Sequence, residues 1–317
     1  FLGAVRTHPL HYGLVSTSLL APIAALVLLG GSAGSLTFVL VSLGLISFRN
    51  PYLYDSLTSL QLDVYRTLTN YITYFESKAG ASVSLGRWFS EYVSGSFALV
   101  AEQLNISNPQ FDAPQFILDQ LGNQTTTGFR SSLARDTRDY YLDPRSGMRN
   151  AINFDFGTPK LGGTNSFYKV AVDTIKYTPL FWDTRHSIRL RFGIAEGLDG
   201  RPLPLTERFF VGGINTMRGF VFGRAGPVTR SNSLVGADRQ IIINNDFIFP
   251  ISREAKLNGV IFFDYGKGFA DGEPLSFDLR PAAGIEARWI SPFGPLRVAF
   301  GINLNPREGE RIGVFEF

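Results

Sequence analysis

Hydrophobic and polar residues alternate along most of this chain, with a period of two. Leu60, Leu62 and Val64 fall on one face of the segment Ser59 to Arg66, and Gln61, Asp63 and Tyr65 fall on the other. Met148, Ile152, Phe154 and Phe156 oppose Arg149, Asn153 and Asp155; Ile188, Leu190, Phe192 and Ile194 oppose Arg189, Arg191 and Gly193. Near the end, Leu296, Val298, Phe300, Ile302 and Leu304 oppose Arg297, Ala299, Gly301 and Asn303. Successive strand side chains point to opposite faces, so each segment predicts a strand with one greasy and one polar surface. About thirteen such segments follow Ser35, many of them about ten residues long, the length a tilted strand needs to cross a bilayer.

Two architectures fit this alternation. A soluble sandwich would bury its greasy faces in a shared core, but sandwich strands are commonly shorter. A closed barrel turns the greasy faces to lipid and leaves no unpaired edge. The polar faces carry charges of both signs, which suits a wet or loop-filled lumen. The chain therefore predicts an all-β protein, a transmembrane antiparallel β-barrel.

The apolar start of the chain is less regular. No formal charge occurs between Arg6 and Arg49, and Leu14 to Leu29 is long enough to be considered as a membrane helix. Pro22 and the cluster Gly30-Gly31-Ser32-Ala33-Gly34-Ser35 argue instead for two strands joined by a turn. The strand formers from Ser35 to Ile46 end at Arg49-Asn50-Pro51. Short turns such as Ser291-Pro292-Phe293-Gly294-Pro295 are expected on one side of the barrel. Longer connections, Asn105 to Gln124 and Gly197 to Gly236, are expected on the other.

Composition narrows the chemistry. The 30 basic and 27 acidic residues are spread along the chain, so the net charge of +3 makes no footprint for nucleic acid. With no cysteine there is no disulfide, thiolate metal cluster or thiol nucleophile. His8, His11 and His186 form no recognisable Ser-His-Asp spacing, and neither an enzyme nor a bound cofactor or metal is expected.

One stretch departs from the strand pattern. Glu207-Arg208-Phe209-Phe210-Val211-Gly212-Gly213-Ile214-Asn215-Thr216-Met217-Arg218-Gly219-Phe220 is too glycine-broken for a strand, yet it is rich in aromatics. Gly212, Gly213 and Gly219 can supply positive-φ corners. Phe220 and Met217 can fill space, and Arg218 offers a fork of donors to carboxylates. The mixture predicts a loop, residues 206–224, folded into the lumen. By strand pattern alone it could be an ordinary porin constriction loop.

The same stretch resembles the lumen-loop motif of the BamA family of bacterial outer-membrane assembly factors. Ser47-Phe48-Arg49-Asn50-Pro51-Tyr52-Leu53, Asp143-Pro144-Arg145-Ser146-Gly147, Phe262-Phe263-Asp264-Tyr265-Gly266 and Trp289-Ile290-Ser291-Pro292-Phe293-Gly294-Pro295-Leu296 resemble it too, in the family's order from Ser47 to Phe317. The resemblance implies a 16-stranded barrel in the full protein. It also implies that the loop arginine, Arg218, meets acidic residues of the next two strands, Asp246 and Asp264. The alternation independently puts both on lumen faces, with Gln240 and Asn244 and with Lys256 and Asn258.

The family's periplasmic domains and first strands are expected to be missing from residues 1–317, which read as barrel domain alone. The implied working site is a poorly paired seam at the last strand, with Gly313, Phe315 and Phe317. An exposed strand edge recruits another strand. The implied function is folding and insertion of client barrels without cofactor. Its partners would be unfolded outer-membrane barrel clients and outer-membrane lipids, with assembly lipoproteins and periplasmic chaperones reached through the missing domains. Two-partner secretion transporters and TamA share the superfamily motif and remain alternatives, as does a passive porin.

Overall fold

A computed structural model of the chain describes residues 23–29, 37–70, 75–109, 115–229 and 234–317. These form a single antiparallel sheet of fourteen strands in sequence order. The strands are β1 (Ile23–Leu29), β2 (Thr37–Asn50), β3 (Thr58–Asn70), β4 (Phe75–Trp88), β5 (Val93–Ser107), β6 (Gly122–Asp136), β7 (Gly147–Gly157), β8 (Phe167–Pro179), β9 (Arg185–Gly197), β10 (Arg239–Ser252), β11 (Leu257–Phe269), β12 (Arg280–Ser291), β13 (Gly294–Asn303) and β14 (Gly313–Glu316). Thirteen of them, β2 to β14, follow Ser35, as the alternation predicts. The apolar start holds two strands, β1 and β2, paired Ile23↔Leu43 through Leu29↔Thr37. The region before Ile23 and the turn at Gly30 to Ser35 lie outside the described residues.

The sheet is greasy on the outside. Ile261 and Phe263 are 54% and 43% exposed, whereas their neighbours Val260, Phe262 and Asp264 are buried. Leu190, Phe192, Ile285, Leu296, Val298 and Phe300 are likewise exposed. In water this would place a large apolar surface against solvent at about 25 cal/mol per Å². The same surface is favourable only where lipid covers it, so the alternation encodes a barrel wall and excludes the sandwich.

The connections sort by side, because every strand reverses direction. Apart from the β6–β7 link, residues 137–146, those after even-numbered strands are short, down to the Pro292–Phe293 link between β12 and β13, where Gly294 takes φ 134°. The longer ones, residues 108–121 and 198–238, follow β5 and β9 and share the opposite side. The first is shorter than the expected span of Asn105 to Gln124, because ladder pairing continues to Asn105↔Asn123 and Ile106↔Gly122. It contains one helical turn, α1 (Gln115–Leu118). Among the described residues no helix is long and apolar enough to cross a membrane.

Candidate functional site

The 198–238 connection folds against the inner face of the sheet, and the predicted segment 206–224 is its buried heart. Val211, Met217 and Phe220 pack with Ala225, Ile242 of β10 and Ala282 of β12. The tight corner is held locally. The Gly213 amide donates to the Phe220 carbonyl at 2.8 Å, and the Gly212 amide donates to Thr216 Oγ1 at 2.9 Å. Gly212, Gly213 and Gly219 have φ of 127°, 95° and 82°, values that side chains rarely tolerate.

This corner aims Arg218 at the wall. Its Nε donates to Asp264 Oδ2 at 2.9 Å, and its Nη2 donates to Asp264 Oδ1 and Asp246 Oδ1, both at 2.6 Å. Its Nη1 donates to Glu286 Oε2 at 2.6 Å, and its amide adds a 2.9 Å bond to Asp264 Oδ2. The guanidinium lies 3.8 Å over the Phe262 ring. Arg218 is 3% exposed and Asp264 is fully buried. Burial alone would lower the arginine's pKa; the Asp264 hydrogen bond and the charges of Asp246, Asp264 and Glu286 more than offset it and raise the pKa. The guanidinium is therefore a permanent charge, shared among β10, β11 and β12.

Both expected partners, Asp246 and Asp264, are present. Glu286 is a third that the sequence reading does not name. It lies opposite Val260 in the β11–β12 register, on the lumen face with Arg288. The same carboxylate accepts Arg288 Nε at 2.7 Å and Arg297 Nε at 2.6 Å, and Arg288 also reaches Asp246 at 2.7 Å. Three carboxylates thus share three guanidiniums, an arrangement that desolvation would otherwise forbid.

Beyond the ion pairs the loop touches the last strands through backbone. A Cβ on Gly301 of β13 would sit 2.4 Å from the Gly219 nitrogen, so this contact requires glycine. The loop also lies beside β14: a Cβ on Gly213 would sit 3.7 Å from Glu316 Oε1. β14 itself is four residues against the ten of β13, paired Ile302↔Gly313 through Ala299↔Glu316. Gly313 and Phe315 lie in that strand. Phe317, the third residue of the expected seam, directly follows the last paired residue, Glu316. No pairing joins β14 to β1 among the described residues.

A profile of the Omp85 superfamily domain matches residues 38–317. The outer membrane protein assembly factor BamA of Nitratidesulfovibrio vulgaris is 28% identical over 276 residues, 86% of this chain and 35% of its own length. That of Neisseria meningitidis serogroup B is 24% identical over 86% of this chain and 40% of its own length. The chain therefore spans between a third and two fifths of these relatives. Among solved structures, BamA from Haemophilus ducreyi lacking POTRA domains 1–3 superposes with a TM-score of 0.73 at 18% identity, over 90% of this chain and 67% of that one. CdiB from Acinetobacter baumannii gives a TM-score of 0.57 at 14% identity, over 87% of this chain and 49% of that one. The fold is thus the BamA barrel fold, and its place is the bacterial outer membrane. With an inward loop clamped on its wall and a domain profile covering all but the first 37 residues, the chain belongs to the Omp85 superfamily.

Proposed function

We propose that this domain is the membrane-embedded part of an outer-membrane protein assembly factor, folding and inserting client β-barrels through a weakly paired seam between its first and last strands. The observation that supports this reading most is the fastening of the lumen loop. Arg218 grips β10, β11 and β12, while Gly219 rests on β13 and Gly213 lies beside Glu316 of β14. A loop fastened to the strands that lead to the seam can bias how firmly that edge is held. The edge supplies unpaired N–H and C=O groups, to which an unfolded client strand adds by backbone hydrogen bonding. No covalent bond changes in this scheme, so neither enzyme chemistry nor a cofactor is involved; burial of the client in lipid supplies the driving force.

The proposed partners are unfolded barrel clients and outer-membrane lipids. Assembly lipoproteins and periplasmic chaperones would be met through periplasmic domains of the parent protein. A two-partner secretion or TamA-type barrel and a passive porin are the competing readings. They are separated by adding a urea-denatured client barrel to liposomes that hold the full-length parent protein, wild type beside Arg218→Ala, with ion conductance recorded on the same vesicles. Accelerated client folding that weakens in the variant supports an assembly factor. Absent acceleration together with large steady conductance overturns it in favour of a pore.

A further inference from the structure

The lumen loop enters from β9 before it reaches Arg218, and its first turn carries a second buried charge of opposite sign. Glu207 ends the turn Leu205–Glu207 and is 7% exposed. Its Oε2 accepts Lys169 Nζ of β8 at 3.3 Å, and its Oε1 lies 3.8 Å from Arg130 Nη2 of β6. Arg130 is bidentate to Glu102 of β5, with both bonds at 3.0 Å. Glu102 in turn meets Lys78 of β4 at 3.0 Å and the Tyr65 hydroxyl of β3. One carboxylate of the loop therefore joins a charged network spanning β3 to β8.

Apolar packing brings it there. Leu205 is buried with Leu104 and Ile106 of β5 and with Ile117 of α1, and its amide donates to Gln120 Oε1 at 2.8 Å. Phe209 is buried with Phe167 of β8 and Ala195 of β9, with Lys169 Nζ 5.0 Å from its ring centre. The turn is thus seated on β5 to β9, as the Arg218 corner is seated on β10 to β14. Inner-wall chemistry matches each end: Lys169 and Arg130 receive the acid, and Asp246, Asp264 and Glu286 receive the base.

We propose that Glu207 is a second anchor of the lumen loop, and that the loop is a strut joining the two halves of the barrel wall through charges of opposite sign. Glu207 acts as a positioning residue that fixes where the loop enters the lumen, and Lys169 is its principal partner. The opposed signs make the loop's direction unambiguous, because exchanging its two ends would bring like charges together. Holding of the loop is independent of the assembly-factor reading; only the expected effect on client folding rests on it.

The test is a charge swap in the full-length protein, reconstituted in phospholipid vesicles. Amide hydrogen exchange of Leu205 to Val211 is compared in wild type, Glu207→Lys, Lys169→Glu and the double variant. Client folding is followed in parallel. A charge-assisted hydrogen bond of this kind, once lost, opens its segment roughly tenfold more often. Exchange of this turn should therefore accelerate by about that factor in each single variant and return toward wild type in the swap, while the barrel keeps its heat-modifiable gel mobility. Unchanged exchange in the single variants, or a swap no better than their sum, overturns the anchor. Restored exchange with client folding insensitive throughout would leave the strut standing and count against the assembly-factor reading alone.

Discussion

The two ends of the lumen loop are built from the same physics with unequal strength. Arg218 makes five hydrogen bonds to three carboxylates, all between 2.6 and 2.9 Å, with its guanidinium covered by the Phe262 ring. Glu207 has one bond of 3.3 Å and one ion pair of 3.8 Å, and its partner Arg130 is already occupied by Glu102. A guanidinium offers five donors in a rigid fork, whereas a lysine ammonium is a single mobile point charge. The Arg218 end is accordingly a clamp and the Glu207 end a lighter tether. A motion of the loop that leaves the barrel intact would begin at the tether.

The largest expected effect is at the clamp. Arg218→Ala leaves Asp246 and Glu286 with Arg288 and Arg297 and strips the buried Asp264 of its ion pair, and breaking such a buried network costs on the order of 3–5 kcal/mol. The temperature at which the folded band disappears on unheated detergent gels should fall clearly. Arg218→Lys should recover only part of the loss, because an ammonium cannot span three carboxylates.

Next come the acidic partners. Asp264→Asn removes the charge that takes three of Arg218's bonds, Asp246→Asn one that takes a single bond, so the former should be worse by roughly 1.5–3 kcal/mol. Thermal midpoints of the two variants in the same detergent decide the order, and equal midpoints would show that the carboxylates act as one pooled charge.

Gly301→Ala probes the backbone contact without touching any charge. The added methyl would overlap the Gly219 nitrogen, pushing the loop off β13 at roughly 1–3 kcal/mol. Protease nicking within residues 206–224 should rise while the strand core stays protected. The smallest effect is expected from Glu207→Gln, which keeps shape and one acceptor: about 1 kcal/mol, read from the same thermal midpoints. A loss as large as that of Arg218→Ala would erase the distinction between clamp and tether.

Much of this design is legible in the chain. Period-two alternation around Ile261 and Phe263 assigns the outward face, and by elimination it turns Asp246 and Asp264 inward. The glycines of the loop announce corners, and an arginine between Met217 and Gly219 has no reason to sit at such a corner unless acids await it. What alternation cannot give is which inward residues of non-adjacent strands meet. Glu286 shares the lumen face of β12 with Arg288, and nothing local distinguishes a carboxylate that serves its neighbour from one that also serves Arg218; the β11–β12 register decides it. Glu207 is hidden for the same reason, since Lys169 and Arg130 lie far earlier in the sequence.

The central claim is that Arg218 holds the lumen loop against the inner wall. The most direct test is amide hydrogen exchange across Gly212 to Phe220 in membrane-reconstituted wild type and Arg218→Ala, with β5 and β11 as internal references. Strong protection of these loop amides in wild type, lost in the variant while the references keep theirs, is the predicted result. Loop amides that exchange freely in wild type, or stay protected without the guanidinium, would contradict the account.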